Sequence, residues 1–249
     1  MFNAHISSQF DADLSRVANK LSEMGALVEA QVERALVALA CFDPAVVDHV
    51  IAEEKRLNVM EVAMDAEISN IIARRQPTAR DLRLLMAISK IVTNLERAGD
   101  EARKIAKRSR RIAREYGAQN VDISELKASG AMASDILKRA LKAFTELDRT
   151  AADAIIRDDE AIDLEFRRFV EKLAGHMMEE PRSIAACLDY ITIAKAIERI
   201  GDHATNMAEY VVYVLDGTDM RHQNPAVGLS AAAGAANGTA NGTNARTAH

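Results

Sequence analysis

Two short segments carry the side chains best suited to chemistry. ERAGDEA, from Glu96 to Ala102, returns as ERIGDHA, from Glu198 to Ala204, at a constant offset of 102 residues. Each copy sets two carboxylates four residues apart, Glu96 with Asp100 and Glu198 with Asp202, a spacing that places both on one face of a helix. Like charges so placed cost an isolated helix roughly 0.2–0.5 kcal/mol, so the pairs call for a compensating cation. Arg97 and Arg199 adjoin them in sequence but project about 100° away around the helix. Clustered carboxylate oxygens suit hard or borderline cations such as Mg, Mn or Fe better than soft ones.

Partner groups stand upstream of each motif at the same four-residue spacing, Glu54 with Asn58 and Asp159 with Asp163. An antiparallel hairpin allows their levels to be compared. With a turn near residue 78, Glu54 and Asn58 lie 24 and 20 residues before it, while Glu96 and Asp100 lie 18 and 22 after it. With a turn near 181, Asp163 and Asp159 lie 18 and 22 residues before, and Glu198 and Asp202 17 and 21 after. At about 1.5 Å per residue both sets come level, so each half is expected to gather several oxygens between two helices. An amide takes the fourth place in the first half, which is therefore expected to be the weaker site. Glu61 and Asp65 continue the stripe, but their second-half counterparts are Phe166 and Val170, so they rank as secondary ligands at best. The alternative, solvated helix edges salt-bridged to arginine, stands beside the metal reading, since exposure is the usual fate of acids.

The elements that must hold these residues are helical. Tryptophan is absent, aromatics are 4% and Gly plus Pro number 15 (11 and 4), a composition rich in helix formers. Apolar residues three and four apart, Ile88, Ile91, Leu95, Ala98, Ala102 and Ile105, recur as Ile184, Cys187, Ile191, Ala194, Ile197, Gly201, Ala204 and Met207, the pattern of a bundle seam. Asp43-Pro44, Gln76-Pro77 and Pro181 are stop signals. They predict helices at roughly 15–40, 45–74, 80–114, 124–150, 152–179 and 182–216. The fold class expected is all-α, two tandem three-helix bundles: residues 1–120, residues 121–222, and a disordered tail over 223–249 rich in Ala, Gly, Asn and Thr.

Other signals set bounds on function. The formal net charge is −5, with 32 basic and 37 acidic residues mixed along the chain, which gives no general case for nucleic acid. The basic run KIAKRSRRIAR, Lys104 to Arg114, falls where a helix ends and complements its dipole; an anionic partner or membrane surface is the other reading. Cys41 and Cys187 lie far apart with no C-x-x-C neighbour, which fits a reducing compartment. Neither a signal peptide nor a membrane span is expected. The six histidines include no H-x-x-x-H and no E-x-x-H pattern, and His203 is expected at the surface. No P-loop and no G-x-S-x-G elbow is present, so no catalytic residue is assigned.

The segments RRQPTARDLR and NLERAGDEA, then MMEEPRSI and AIERIGDHATNMAEY, resemble the PhoU family of phosphate-signalling proteins. Both copies carry the signature in order and at the right spacing, from the first helix to about Arg221. The resemblance implies two three-helix bundles, no catalytic reaction, and in some members multinuclear metal sites at E(D)-x-x-x-D motifs. The family's motif maps directly onto Glu96, Asp100, Glu198 and Asp202, and onto Glu54, Asp159 and Asp163 with Asn58 as a relaxed fourth member. The metal would be Fe, Mn, Mg or Zn. The resemblance further implies a cytoplasmic negative regulator of the phosphate-starvation response. Its partners would be the phosphate ABC transporter's ATPase and the sensor histidine kinase PhoR, and a homodimer is expected. A carboxylate-rich metalloenzyme or metal store, and a purely structural scaffold, are the alternatives carried forward.

Overall fold

In a computed structural model, residues 8–41, 43–117 and 121–217 are described. Six α-helices account for nearly all of them, and no strand occurs among the described residues. These are α1 (Ser8–Cys41), α2 (Pro44–Arg75), α3 (Ala79–Arg111), α4 (Ser124–Glu146), α5 (Arg149–Glu179) and α6 (Ile184–Asp216). The segment read as a disordered tail lies outside the described residues.

Local chemistry explains the breaks. Asp43 caps α2, its carboxylate accepting from the Ala45 backbone N–H at 2.8 Å, and Pro44 occupies the first turn, where its missing N–H costs nothing. Gln76 (φ 48°) and Ala79 (φ 43°) flank Pro77 and turn the chain from α2 into α3. A five-residue π turn, Ile112–Tyr116, closes α3 and ends at Gly117 with φ 66°. Two ends depart from the sequence pattern. The first helix begins at Ser8 rather than near 15, and α4 stops at Glu146 rather than near 150. The second difference follows from Leu147, which takes a left-handed conformation, and from Asp148, whose carboxylate caps α5 by accepting from Ala151 at 3.0 Å.

The two repeats face each other through α3 and α6, the most extensive helix pairing in the molecule. These helices run antiparallel: Asn94 meets His203, Glu101 meets Arg199, and Arg108 meets Asp189. Ala98, Ala102, Ile105, Ile197, Ile200 and Ala204 on these two helices are each no more than 1% exposed. One continuous apolar cluster draws on all six helices, so the repeats share a core. Ile184, placed on the seam by its spacing, is instead 42% exposed at the start of α6.

Candidate metal centre

Glycine sets how closely the hairpin helices approach at each motif. A Cβ at Gly99 would lie 2.5 Å from Leu57 Cδ1 on α2, and one at Gly201 would lie 2.8 Å from Asp159 Oδ1 and 2.9 Å from Ile162 Cδ1 on α5. The motif's fourth residue is thus the contact point at which the facing helix, with its acids, is admitted.

In the second half Asp159 and Asp163 on α5 face Glu198 and Asp202 on α6. Burial, followed by the charges of Asp202, Asp163 and Glu198, pushes the Asp159 carboxyl up to about 6. Burial and then Glu198 push Asp202 in the same direction. One internal cation is close: Lys195 Nζ hydrogen-bonds Glu198 Oε1 and lies 5.4 Å from the centre of the Phe166 ring. The other oxygen, Glu198 Oε2, is buried with no partner, while the buried Thr205 hydroxyl stands beside Asp159 and partly offsets the rise in its pKa.

The first half is built differently. Asn58 Nδ2 donates to Glu54 Oε1 at 3.1 Å, leaving its own Oδ1 buried and unpartnered. Arg103 Nη2 donates to Asp100 Oδ1 at 2.9 Å, and Nε of the same guanidinium stands 3.8 Å from Glu54 Oε1 across the hairpin. Glu96 is raised by burial and then by Asp100, Glu61 and Glu54. Glu61 therefore borders this cluster, while Asp65 is tied to α3 elsewhere, accepting from Ser89 Oγ at 2.9 Å.

Among the described residues no three His, Cys, Asp or Glu side chains converge closely enough to hold a metal ion. The helices bring the acids level, and the side chains would have to turn inward to share a cation. The donor set fits such a cation better in the second half, which offers four carboxylates, one of them, Glu198, with an unpartnered buried oxygen. The first half offers three carboxylates, an amide already donating, and an arginine.

Several participants escape the spacing argument. Arg103 stands three residues after Asp100, a recognisable Asp–Arg ion-pair spacing on one helix, yet its reach to Glu54 depends on the hairpin. His203 is not at the surface: it is half-buried between α3 and α6, its Nδ1 3.1 Å from Asn94 Oδ1, and burial brings its pKa down to about 4. Arg199 does turn away from its motif, meeting Glu101 across the seam at 3.3 Å. The basic run is largely consumed internally, with Lys104 on Glu101, Arg108 on Asp189, Arg110 on Asp48 and Arg111 on Glu115.

Comparison with known proteins agrees with this architecture. The family model described as "PhoU domain" matches twice, over residues 21–109 and 126–211. A phosphate-specific transport system accessory protein PhoU homolog from Burkholderia sp is 52% identical over 227 residues, covering 90% of this chain and 96% of that protein. The phosphate-specific transport system accessory protein PhoU of Escherichia coli (strain K12) is 39% identical over 221 residues, covering 88% of this chain and 90% of that protein. The crystal structure of PhoU from Pseudomonas aeruginosa superposes with a TM-score of 0.82 at 40% identity, covering 84% of this chain and all of that one. The phosphate transport system regulatory protein PhoU from Streptococcus pneumoniae gives 0.78 at 26% identity, covering 85% and 99%. With two matched repeats, a shared six-helix architecture and relatives over nearly its whole described length, the chain belongs to the PhoU family.

Proposed function

We propose that this chain is a regulatory accessory of phosphate uptake which holds the phosphate-starvation response off when phosphate is ample. The observation that carries the reading is the doubled family signature, shared with relatives named as accessory or regulatory proteins of phosphate transport. On this reading the protein couples the ATPase of the phosphate transporter to the sensor histidine kinase PhoR. It acts in the cytoplasm as a homodimer, reaching the inner membrane through its partners. No described helix is long and apolar enough to cross a membrane. Its work is protein contact and not catalysis, the reading that relatives named as accessory or regulatory proteins of phosphate transport favour.

The carboxylates favour an added metal-dependent role. Asp159, Asp163, Glu198 and Asp202 would hold Fe, Mn, Mg or Zn, with Glu54, Asn58, Glu96 and Asp100 as the corresponding set in the first half. A bound cation would neutralise the repelling acids and fix the α5–α6 hairpin as a binding surface.

Deleting the coding sequence and following phosphate-responsive transcription in phosphate-replete cells tests the regulatory reading. Derepression at high phosphate is expected, and unchanged transcription would overturn it. Metal analysis of the purified chain, together with an oxidase assay, separates this reading from a carboxylate-bridged metalloenzyme. A Glu198→Gln/Asp202→Asn variant with unaltered metal content and signalling would favour a plain scaffold.

A further inference from the structure

The two halves differ most at a position that the repeat itself identifies. At the offset of 102 residues, Arg103 corresponds to Thr205, each three residues after its motif aspartate. Arg103 sends one nitrogen to Asp100 on its own helix, at 2.9 Å, and places Nε 3.8 Å from Glu54 on the facing helix. Nε itself is buried and makes no hydrogen bond, so this part of the guanidinium sits inside the hairpin. Asn58 turns its amide nitrogen onto the same Glu54 at 3.1 Å, adding a donor where the second half has the acid Asp163.

The second half has no equivalent. Thr205 carries no charge, and its buried hydroxyl stands beside Asp159. Among the acids Lys195 hydrogen-bonds only Glu198, from a side chain 44% exposed, and leaves Oε2 of that acid buried and unpaired. A flexible ammonium at the rim can swing aside. A guanidinium held between two helices, permanently charged, cannot be neutralised by losing a proton.

We propose that Arg103 is the resident counter-ion of the first half: it occupies the place between α2 and α3 that a divalent cation takes between α5 and α6, so the chain holds metal in its second half only. This assignment rests on the reading above that the second-half carboxylates bind a cation. The two halves of one family repeat are then specialised, one closed by its own side chain and the other open to exchange with the medium.

The test uses the full chain, stripped with a chelator and dialysed against Mn²⁺, with bound metal measured by mass spectrometry and thermal unfolding followed by circular dichroism. Wild type should lose nearly all bound Mn²⁺ on Glu198→Gln/Asp202→Asn and almost none on Glu96→Gln/Asp100→Asn. Arg103→Thr/Asn58→Asp, which rebuilds the second-half pattern in the first, should gain a new class of bound Mn²⁺. Its melting temperature should be lowered in the stripped protein and restored by Mn²⁺. Thr205→Arg should cut Mn²⁺ binding at least tenfold while leaving the stripped protein folded. Equal losses from the two acid-neutralising variants would overturn the proposal, as would no gain in a folded Arg103→Thr/Asn58→Asp chain. Wild type that binds no Mn²⁺ beside an Arg103→Thr/Asn58→Asp chain that does would support Arg103 as the blocking ion while sinking the second-half reading. Absence of Mn²⁺ from both would sink the two together.

Discussion

At the scale of single residues, Asp159 shows what the acid cluster costs the protein. Its pKa stands at about 6 in the folded chain against an ordinary 3.8, because burial and three neighbouring acids disfavour its charge. The folded state therefore holds this proton more tightly than the unfolded state. The associated stability is fully present below about pH 4 and is lost as pH rises through 6. At roughly 1.36 kcal/mol per unit the shift is worth at most about 3 kcal/mol, and the group's partial exposure brings the expected figure to about 1 kcal/mol. Asp159→Asn should accordingly stabilise the metal-free chain by about 1 kcal/mol at pH 7, with the advantage shrinking to nothing near pH 4, as read from melting temperatures across that range. An advantage that grows toward low pH would refute the assignment. The comparison must be made variant against wild type, because His203 carries the opposite sign. Its pKa falls from 6.5 to about 4, so its own contribution is present above pH 6.5 and is lost as pH drops through 4. Excess Mn²⁺ at pH 7 should reverse the ranking of Asp159→Asn and wild type, since only the wild-type acid gains a counter-charge.

At the scale of the helical hairpin, Gly201 and Gly175 separate packing from position. An alanine Cβ at Gly201 would press on Asp159 Oδ1 and Ile162 Cδ1, both ends of side chains, whereas one at Gly175 would meet nothing within 4 Å. Gly175→Ala should therefore raise stability by up to about 1 kcal/mol through helix propensity alone. For Gly201→Ala the same gain is cancelled or outweighed by about 1–3 kcal/mol of overpacking, so its melting temperature should hold or fall by a few degrees. Its Mn²⁺ affinity should nevertheless fall about tenfold, because Asp159 is what must give way. An unchanged affinity would show that the close approach does not set the position of the acids. The hairpins were also what the sequence displayed best. Pro77 and Pro181 mark the turns, and a fixed rise per residue carries Glu54, Asn58, Glu96 and Asp100 to one level without any knowledge of packing. Local signals fail where a side chain's choice depends on a distant helix. Arg103 reads as a same-helix partner of Asp100 until α2 supplies Glu54, and Leu147 gives no hint of the left-handed turn that shortens α4.

At the scale of the whole molecule, the repeat tells how many halves there are but not which faces they join. His203 reads as a surface residue when α6 is considered alone and becomes half-buried only because α3 covers it with Asn94. The seam is also bound by charge: Asp189, with its side chain 4% exposed, accepts from Arg108 at 2.7 Å. Ala98, Ala102, Ile105, Ile197 and Ala204 are buried in the same shared core. A half expressed alone would expose its α3 or α6 stripe as a contiguous apolar face, a recognised liability for a soluble domain. Residues 8–117 and 121–217 produced separately should thus bind a hydrophobic dye and unfold without a sharp transition. Mixed in equal amounts, they should lose dye binding and regain one cooperative melt, because the single core needs both stripes. If each half instead melts cooperatively alone, at a temperature unmoved by the other, the repeats are energetically independent. The α3–α6 face would then be a docking surface between two finished domains, and a regulator could open it without unfolding either one.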